Sequence, residues 1–401
     1  MRRWKRPAII VLAIVTIASL PFFSRQFALR GLPDVGDPFD TSKFGHVDIA
    51  DKDNAYVEYS TASKMVPSPV DRKAHDEAKV VEKYGWSNGG PALKNWLTAA
   101  KPALDVWRAG TEKSDALPDR QKNINYININ GYYGYSFFYF IPLATSEASK
   151  LESAGKMEEA FGWYRAILRS GRHVVIRGGV MERWASIGDH DDTAERINRW
   201  AKDARVDAKM LRSALADVRA INRTTLPLSN TFRIEYFAAM NMLQDPSAIK
   251  SFLSDVRDIQ YMRPGADEVG AFSYVRSKVV RWTSDRNDDS QILARNEPER
   301  SKRVIRLIVA NVLSHCDDPP SRRPPRADTN LLLFQTSAAD PPAARALSPE
   351  SIQKWYRTTI YAQLFLDGWL SAQIAFDRER IIQKEMEANL EEQLRRREKK
   401  D

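Results

Sequence analysis

PALKNWLTAAKPALDVWRAG, from Pro91 to Gly110, is the stretch that decides the fold. Leu93, Trp96, Leu97, Ala100, Leu104 and Trp107 recur three or four residues apart and so share one helical face. Pro91 suits a first helical turn, where its missing N–H leaves no bond unmade. The pattern continues in both directions. Upstream, GWSNGGP separates it from a polar helix expected over Asp71 to Tyr84. Before that, Asp53 reads as an N-cap for Tyr56, Tyr59, Ala62, Ser63 and Val66, and Pro67 stops the run. Downstream, helical patterning resumes near Tyr135 and runs to about Thr283, with breaks expected at Gly155, Gly171, Gly188 and Pro227. Only Asn123 to Asn130 and Leu331 to Thr336 resemble strands. The fold class is therefore all-α, an irregular helical bundle or a repeat-like array of helix pairs.

Composition agrees with a packed body. The chain has 401 residues, 43% hydrophobic and 10% aromatic, enough for one large core or two of medium size. Its net charge of +9 owes four units to Arg2, Arg3, Lys5 and Arg6, and the thin excess left over argues against nucleic acid as a partner. Cys316 is the only cysteine, which rules out an intramolecular disulfide and a cysteine-based zinc site. No cofactor or metal is expected.

The amino terminus carries the clearest functional signal. MRRWKRPAIIVLAIVTIASLPFF places four cations before an uncharged run, and such charges stay on the cytoplasmic side. Ala8 to Phe23 would extend about 24 Å as a helix, just short of the roughly 30 Å hydrocarbon core. A cleavable signal needs small residues at −3 and −1; Ile17-Ala18-Ser19 fails at one, and Ser24 has Phe22 at −3. Residues 1–24 thus read as an uncleaved signal-anchor, a single transmembrane helix with Trp4, Phe22 and Phe23 at the interfaces. This puts the protein in a cytoplasmic membrane with its body on the extracytoplasmic side. Residues 25–52, broken by Gly31, Pro33, Gly36, Pro38 and Gly45, read as a linker, and 53–283 as the body.

Within the body, Ala148, Leu151, Ala154 and Gly155 followed by Ala160, Trp163, Tyr164 and Ile167 resemble the helix pair of one tetratricopeptide repeat. No second copy appears at the repeat length, so a regular solenoid is not expected. The wider stretch from Asp53 to Leu243, with NAYVEYSTASKMV, NWLTAAKPALDVWRAG, AGKMEEAFGWYRAILRSGRHV and IGDHDD, is similar to a group of uncharacterised bacterial membrane-anchored, all-helical proteins. The likeness covers about half the chain, and it implies packing motifs but no catalytic residues.

Residues 284–347 read as a polar and Pro-rich linker holding one short helix, Ser301 to His315. Ser348, Pro349 and Glu350 then open a long C-terminal helix over 348–401, expected to run toward Lys400. Its charged tail keeps only Ile381, Ile382, Met386, Leu390 and Leu394 as apolar residues, at near-heptad spacing. A helix of that kind docks on the body, or pairs with a partner protein or a second copy.

Candidate chemistry is sparse. Gly85-Trp86-Ser87-Asn88-Gly89 matches G-x-S-x-G, but a polar helix precedes it where a nucleophile elbow needs a strand, so it reads as a helix stop. Asp189-His190-Asp191-Asp192 groups metal-binding side chain types, yet adjacent residues cannot all face one ion, and Asp192 with Glu195 reads as a capping box. His173 reads as a helix cap or a surface histidine, and Ser314-His315-Cys316-Asp317-Asp318 as an inert free thiol beside a histidine, since contiguous residues rarely achieve the geometry of a thiol with a base. No catalytic or metal residue is assigned. The aromatic stretch from Asn123 to Ala144 reads as core from Phe137 onward, with Phe140, Ile141 and Ala144 on one face. Tyr126, Tyr132, Tyr133 and Tyr135 are the candidate ligand-binding residues. The expected function is a membrane-tethered extracytoplasmic scaffold that binds another protein. The alternative is an extracytoplasmic hydrolase with a pocket near Ser87, His173 or His190.

Overall fold

A computed structural model of the chain describes residues 29–67, 72–118, 124, 134–244 and 297–399, apart from a few positions between 358 and 367. The anchor segment from Met1 to Phe23 and nearly all of Asn123 to Asn130 lie outside these residues. The helices are α1 (Ala55–Met65), α2 (Arg72–Tyr84), α3 (Pro91–Thr111), α4 (Gly134–Ser153), α5 (Met157–Val175), α6 (Val180–Lys202), α7 (Ala208–Arg223), α8 (Leu228–Gln244), α9 (Glu297–Leu313), α10 (Pro349–Tyr356) and α11 (Trp369–Glu398). Among the described residues, β pairing is confined to two isolated bridges, Asn54 with Asp115 and Arg326 with Phe334. The all-α reading holds. No helix among the described residues is long and apolar enough to cross a membrane.

The chain divides into two compact units. The larger comprises Thr41–Ala239, Pro319–Ser321 and Trp369–Asp401, and the smaller Met1–Asp40, Met240–Asp318 and Arg322–Gly368. In the larger unit, α3 packs on α1, α2, α4 and α5, while α5 packs on α4, α6 and α7. All six residues that predicted α3, from Leu93 to Trp107, are buried. Trp107 stacks on Phe140 of α4 with ring centroids 5.7 Å apart and planes inclined by 8°. Asn54 caps α1 one residue later than expected, its side chain accepting the Tyr56 N–H at 3.1 Å.

Two expected helix breaks do not occur, and each has a physical reason. The helix α5 passes through Gly171, where the missing side chain admits α6: the Ser186 hydroxyl donates to the Gly171 carbonyl at 2.8 Å. A Cβ at Gly171 would sit 2.9 Å from that hydroxyl oxygen. Helix α6 likewise runs through Gly188, so Asp192 lies inside a helix and caps nothing. The break at Gly155 is real, because its φ of 77° is incompatible with a right-handed helix.

In the smaller unit, Leu331 to Phe334 are all buried but form no strand. The Leu333 carbonyl accepts the Ala327 N–H at 2.9 Å, and Phe334 is held by a side chain. Asn311 of α9 accepts the Phe334 N–H at 2.8 Å and donates to its carbonyl at 2.9 Å. Part of the segment read as a linker is also fixed within this unit. Arg303 donates to the Leu32 carbonyl at 3.1 Å, and Arg306 meets Asp34 at 2.9 Å and Asp37 at 3.0 Å.

The C-terminal helix expected from Ser348 is not continuous. Ser348 caps α10 as its sequence implies, accepting the Ser351 N–H, and Pro349 occupies the first turn. That helix ends at Tyr356, and α11 begins only after Gly368, whose φ of 103° no right-handed helix accommodates.

Candidate functional site

Among the described residues, no hydrogen bond joins Ser87, His173 and His190 to one another. Ser87 is exposed in a short 3₁₀ turn between α2 and α3, where its hydroxyl meets only the neighbouring Asn88 amide at 3.3 Å among the contacts the structure records. Gly85, at φ 86°, donates to the Val81 carbonyl at 2.8 Å, which makes the G-x-S-x-G match a helix stop. Tyr126, Tyr132 and Tyr133 lie outside the described residues, as does the side chain of Tyr135.

His173 is a buried fastener, not a surface histidine or a cap. Its Nε2 lies 3.1 Å from the Lys113 carbonyl, which can only accept, so the proton sits on Nε2. Nδ1 then accepts from the Tyr59 hydroxyl at 2.7 Å, tying α5 to α1 and to the turn after α3. Burial lowers the pKa of His173 to about 4, consistent with this neutral tautomer. Sequence gave no signal for the pairing, because Tyr59 is 114 residues away.

His190 belongs to a different arrangement. Its Nδ1 accepts from Arg172 at 3.1 Å, and burial together with that guanidinium lowers its pKa to about 3. Arg172 of α5 and Arg183 of α6 grip the two oxygens of Glu379 from α11, Arg172 on Oε1 and Arg183 on Oε2 at 3.3 Å. The Arg183 guanidinium also lies over the Phe376 ring, 4.6 Å from its centroid. Burial opposes ionisation of Glu379, but the two guanidiniums outweigh it and hold the carboxyl below its ordinary range. Among the four neighbours Asp189 to Asp192, Asp191 turns outward to pair with Arg378 of α11. No metal-binding group occurs among the described residues.

This buried cluster opens onto a long helix interface. The apolar stripe of the charged tail is core: Ile382, Met386 and Leu390 join the same hydrophobic cluster as Trp107 and Trp200. Polar side chains line its borders and fix the register. Asn389 donates to Asn198 of α6 at 2.8 Å, Asn222 of α7 donates to Glu387 at 2.7 Å, and Gln383 donates to Thr225 at 3.1 Å. Arg219 of α7 pairs with Glu391, and Arg397 donates to the Asp203 carbonyl at 2.7 Å. The groove between α6 and α7 therefore holds a helix at both its apolar floor and its polar rims.

Two further polar features lie in the larger unit. A cavity of about 190 Å³ is lined by Glu82, Ser149, Glu152, Tyr164, Arg196 and Arg199, among others. Its groups are mostly paired already, Tyr164 donating to Glu152 at 2.9 Å and Arg196 bridging to Glu82. At the start of α6, Glu182 accepts the Gly179 N–H at 3.0 Å and Glu235 of α8 accepts the Val180 N–H at 2.8 Å. Burial pushes these carboxyls up to about 8 and about 7 respectively. A Cβ at Gly179 would meet Glu235 Oε1 at 2.4 Å, so a side chain there would displace that carboxylate.

No family model matches this sequence, and no curated protein or solved structure is significantly similar to it.

Proposed function

We propose that this protein is a membrane-tethered helical scaffold whose body lies outside the cytoplasm and binds other protein. The observation that carries the reading is the groove between α6 and α7, which grips a chain-remote helix through a buried carboxylate, an apolar stripe and polar rims. An array built in this way recognises helices by the i, i+4 spacing of their anchors. The seated helix leaves an outer apolar strip for further contact. Ile374 and Ile381 of α11 are 61% and 55% exposed, one turn to either side of Arg378, which pairs with Asp191 of α6; Trp184, two turns before Asp191, is 39% exposed. Large side chains exposed together are the usual mark of a protein contact. The tether is carried by the cationic, then apolar, run from Arg2 to Phe23.

The test is fractionation of the full chain, followed by photocrosslinking from position 381 in intact membranes. Full-length protein in the membrane fraction, with a captured protein lost on Ile374→Glu, is the expected result. A chain processed near Leu20 or Arg25 and released, or crosslinking unchanged by that substitution, contradicts the reading.

A further inference from the structure

The geometry points to a binding site for a small zwitterionic α-amino acid in the cavity where α2, α4 and α6 end, with the ligand's ammonium against Glu152 and its carboxylate against Arg199 and Ser149. The site depends neither on the helix groove nor on the membrane tether.

Helix ends make one wall of this cavity. Helix α2 ends at Tyr84, α4 at Ser153 and α6 at Lys202, and their last turns line it through Glu82, Glu152 and Arg199. The carbonyls left over at helix C-termini carry partial negative charge, which favours a cationic group. Most of the charged side chains here are already committed. Arg196 bridges to Glu82, and Arg205 holds both oxygens of Asp203, at 2.9 and 2.7 Å. Tyr164 donates to Glu152 Oε1 at 2.9 Å.

Arg199, Ser149 and the second Glu152 oxygen are left open. Among the described residues Arg199 pairs with no carboxylate, and its hydrogen bond to the Glu82 carbonyl is long, at 3.4 Å. The Ser149 hydroxyl and Glu152 Oε2 make no hydrogen bond among the described residues, although both residues line the cavity.

These open groups define the two ends of a ligand. A carboxylate suits the Arg199 guanidinium and the Ser149 hydroxyl, through charge-assisted bonds. An ammonium suits Glu152 Oε2. Burial raises the pKa of Glu152, an effect that Arg199 partly offsets, and an ammonium on the open oxygen would favour the ionised form further. A plain carboxylate would bring like charge toward Glu152, and a plain amine would bring it toward Arg199. A ligand carrying both charges meets neither penalty. The volume sets its size. The cavity holds about 190 Å³, and one of roughly 150 Å³ accommodates benzene, which leaves room for about six to eight non-hydrogen atoms. Val81 and Met157 offer apolar wall for a short side chain. An amino acid the size of alanine or serine fits, and an aromatic one does not.

Isothermal titration calorimetry on the full-length protein tests the site with L-alanine, propionate, ethylamine and L-phenylalanine as separate probes. Saturable binding of L-alanine is expected, with each of the other three weaker by about tenfold or more. Arg199→Met, at an exposed position, should leave the circular dichroism spectrum unchanged and weaken L-alanine by about tenfold or more. Glu152→Gln, which can still accept from Tyr164, should weaken it likewise. No binding of L-alanine, or binding undiminished by both substitutions, overturns the site. Ethylamine or propionate binding as tightly as L-alanine overturns the zwitterion as its ligand.

Discussion

Glu379 and Arg183 lie 196 residues apart in sequence, yet their side chains are each 1% exposed and meet at 3.3 Å inside the larger unit. Arg172 closes on the other carboxylate oxygen. Such a buried bridge is weak evidence of net stabilisation, because desolvating three charges offsets much of their attraction. Its removal is another matter. Glu379→Ala removes the buried carboxylate that both guanidiniums hold and should cost about 3–5 kcal/mol. Chemical denaturation of the full chain measures this. An unchanged midpoint would mean that α11 does not depend on the bridge.

Phe140 is 1% exposed and stacked on Trp107, so truncation leaves a cavity that the rigid helices around it cannot close. Phe140→Ala should cost about 3–5 kcal/mol. Thermal melting followed by circular dichroism checks it, and a melting temperature within a degree or so of the parent would contradict the core assignment.

Gly171 should resist substitution although it lies in a helix, where alanine is ordinarily preferred. The added methyl would meet the Ser186 hydroxyl at 2.9 Å, and overpacking of this kind costs about 1–3 kcal/mol. Adding Ser186→Gly to Gly171→Ala should recover part of the loss. If the single substitution stabilises the protein, α5 and α6 do not approach as described.

Glu182 and Glu235 make stability fall as pH rises. Their folded pKa values, about 8 and about 7, lie above the ordinary 4.5, so the native state holds protons that the unfolded state has released. Stability from these groups is complete below about pH 4.5 and is lost between there and about pH 8. His173 and His190 act oppositely. Their pKa values of about 4 and about 3 lie below the ordinary 6.5, so their contribution is complete above pH 6.5 and lost as pH falls through that lower range. Above pH 6.5 the raised carboxyls set the trend, Asp189, pushed up to about 7 by burial, adding to the two glutamates. Glu235→Gln, which can still accept the Val180 N–H, should flatten the decline between about pH 6.5 and 8. An equally steep decline in that variant would remove Glu235 from the account.

What sequence revealed of this fold was local. The period of Leu93 to Trp107, the stop at Gly85, the start at Pro91 and the cap at Ser348 depend on neighbours within a few residues, and each appears where its chemistry implies. Gly171 and Gly188 misled, because a glycine that breaks a helix and one that lets another helix approach look alike until the partner helix is known. The site was less legible. His173 depends on Tyr59, and Glu379 on Arg172 and Arg183, across separations that no spacing rule spans. The stripe of Ile382, Met386 and Leu390 did announce a buried face, but not which surface covered it.

The seating of α11 in the groove is tested most directly by amide hydrogen exchange on the full-length protein. Helices that close a core exchange only when the unit opens, whereas a solvated end exchanges almost at once. Peptides covering Glu379 to Leu394 should exchange as slowly as those from α5 and α6, and Glu379→Ala should accelerate the tail peptides selectively. Complete exchange of Glu379 to Leu394 within seconds in the unmodified protein would contradict the account.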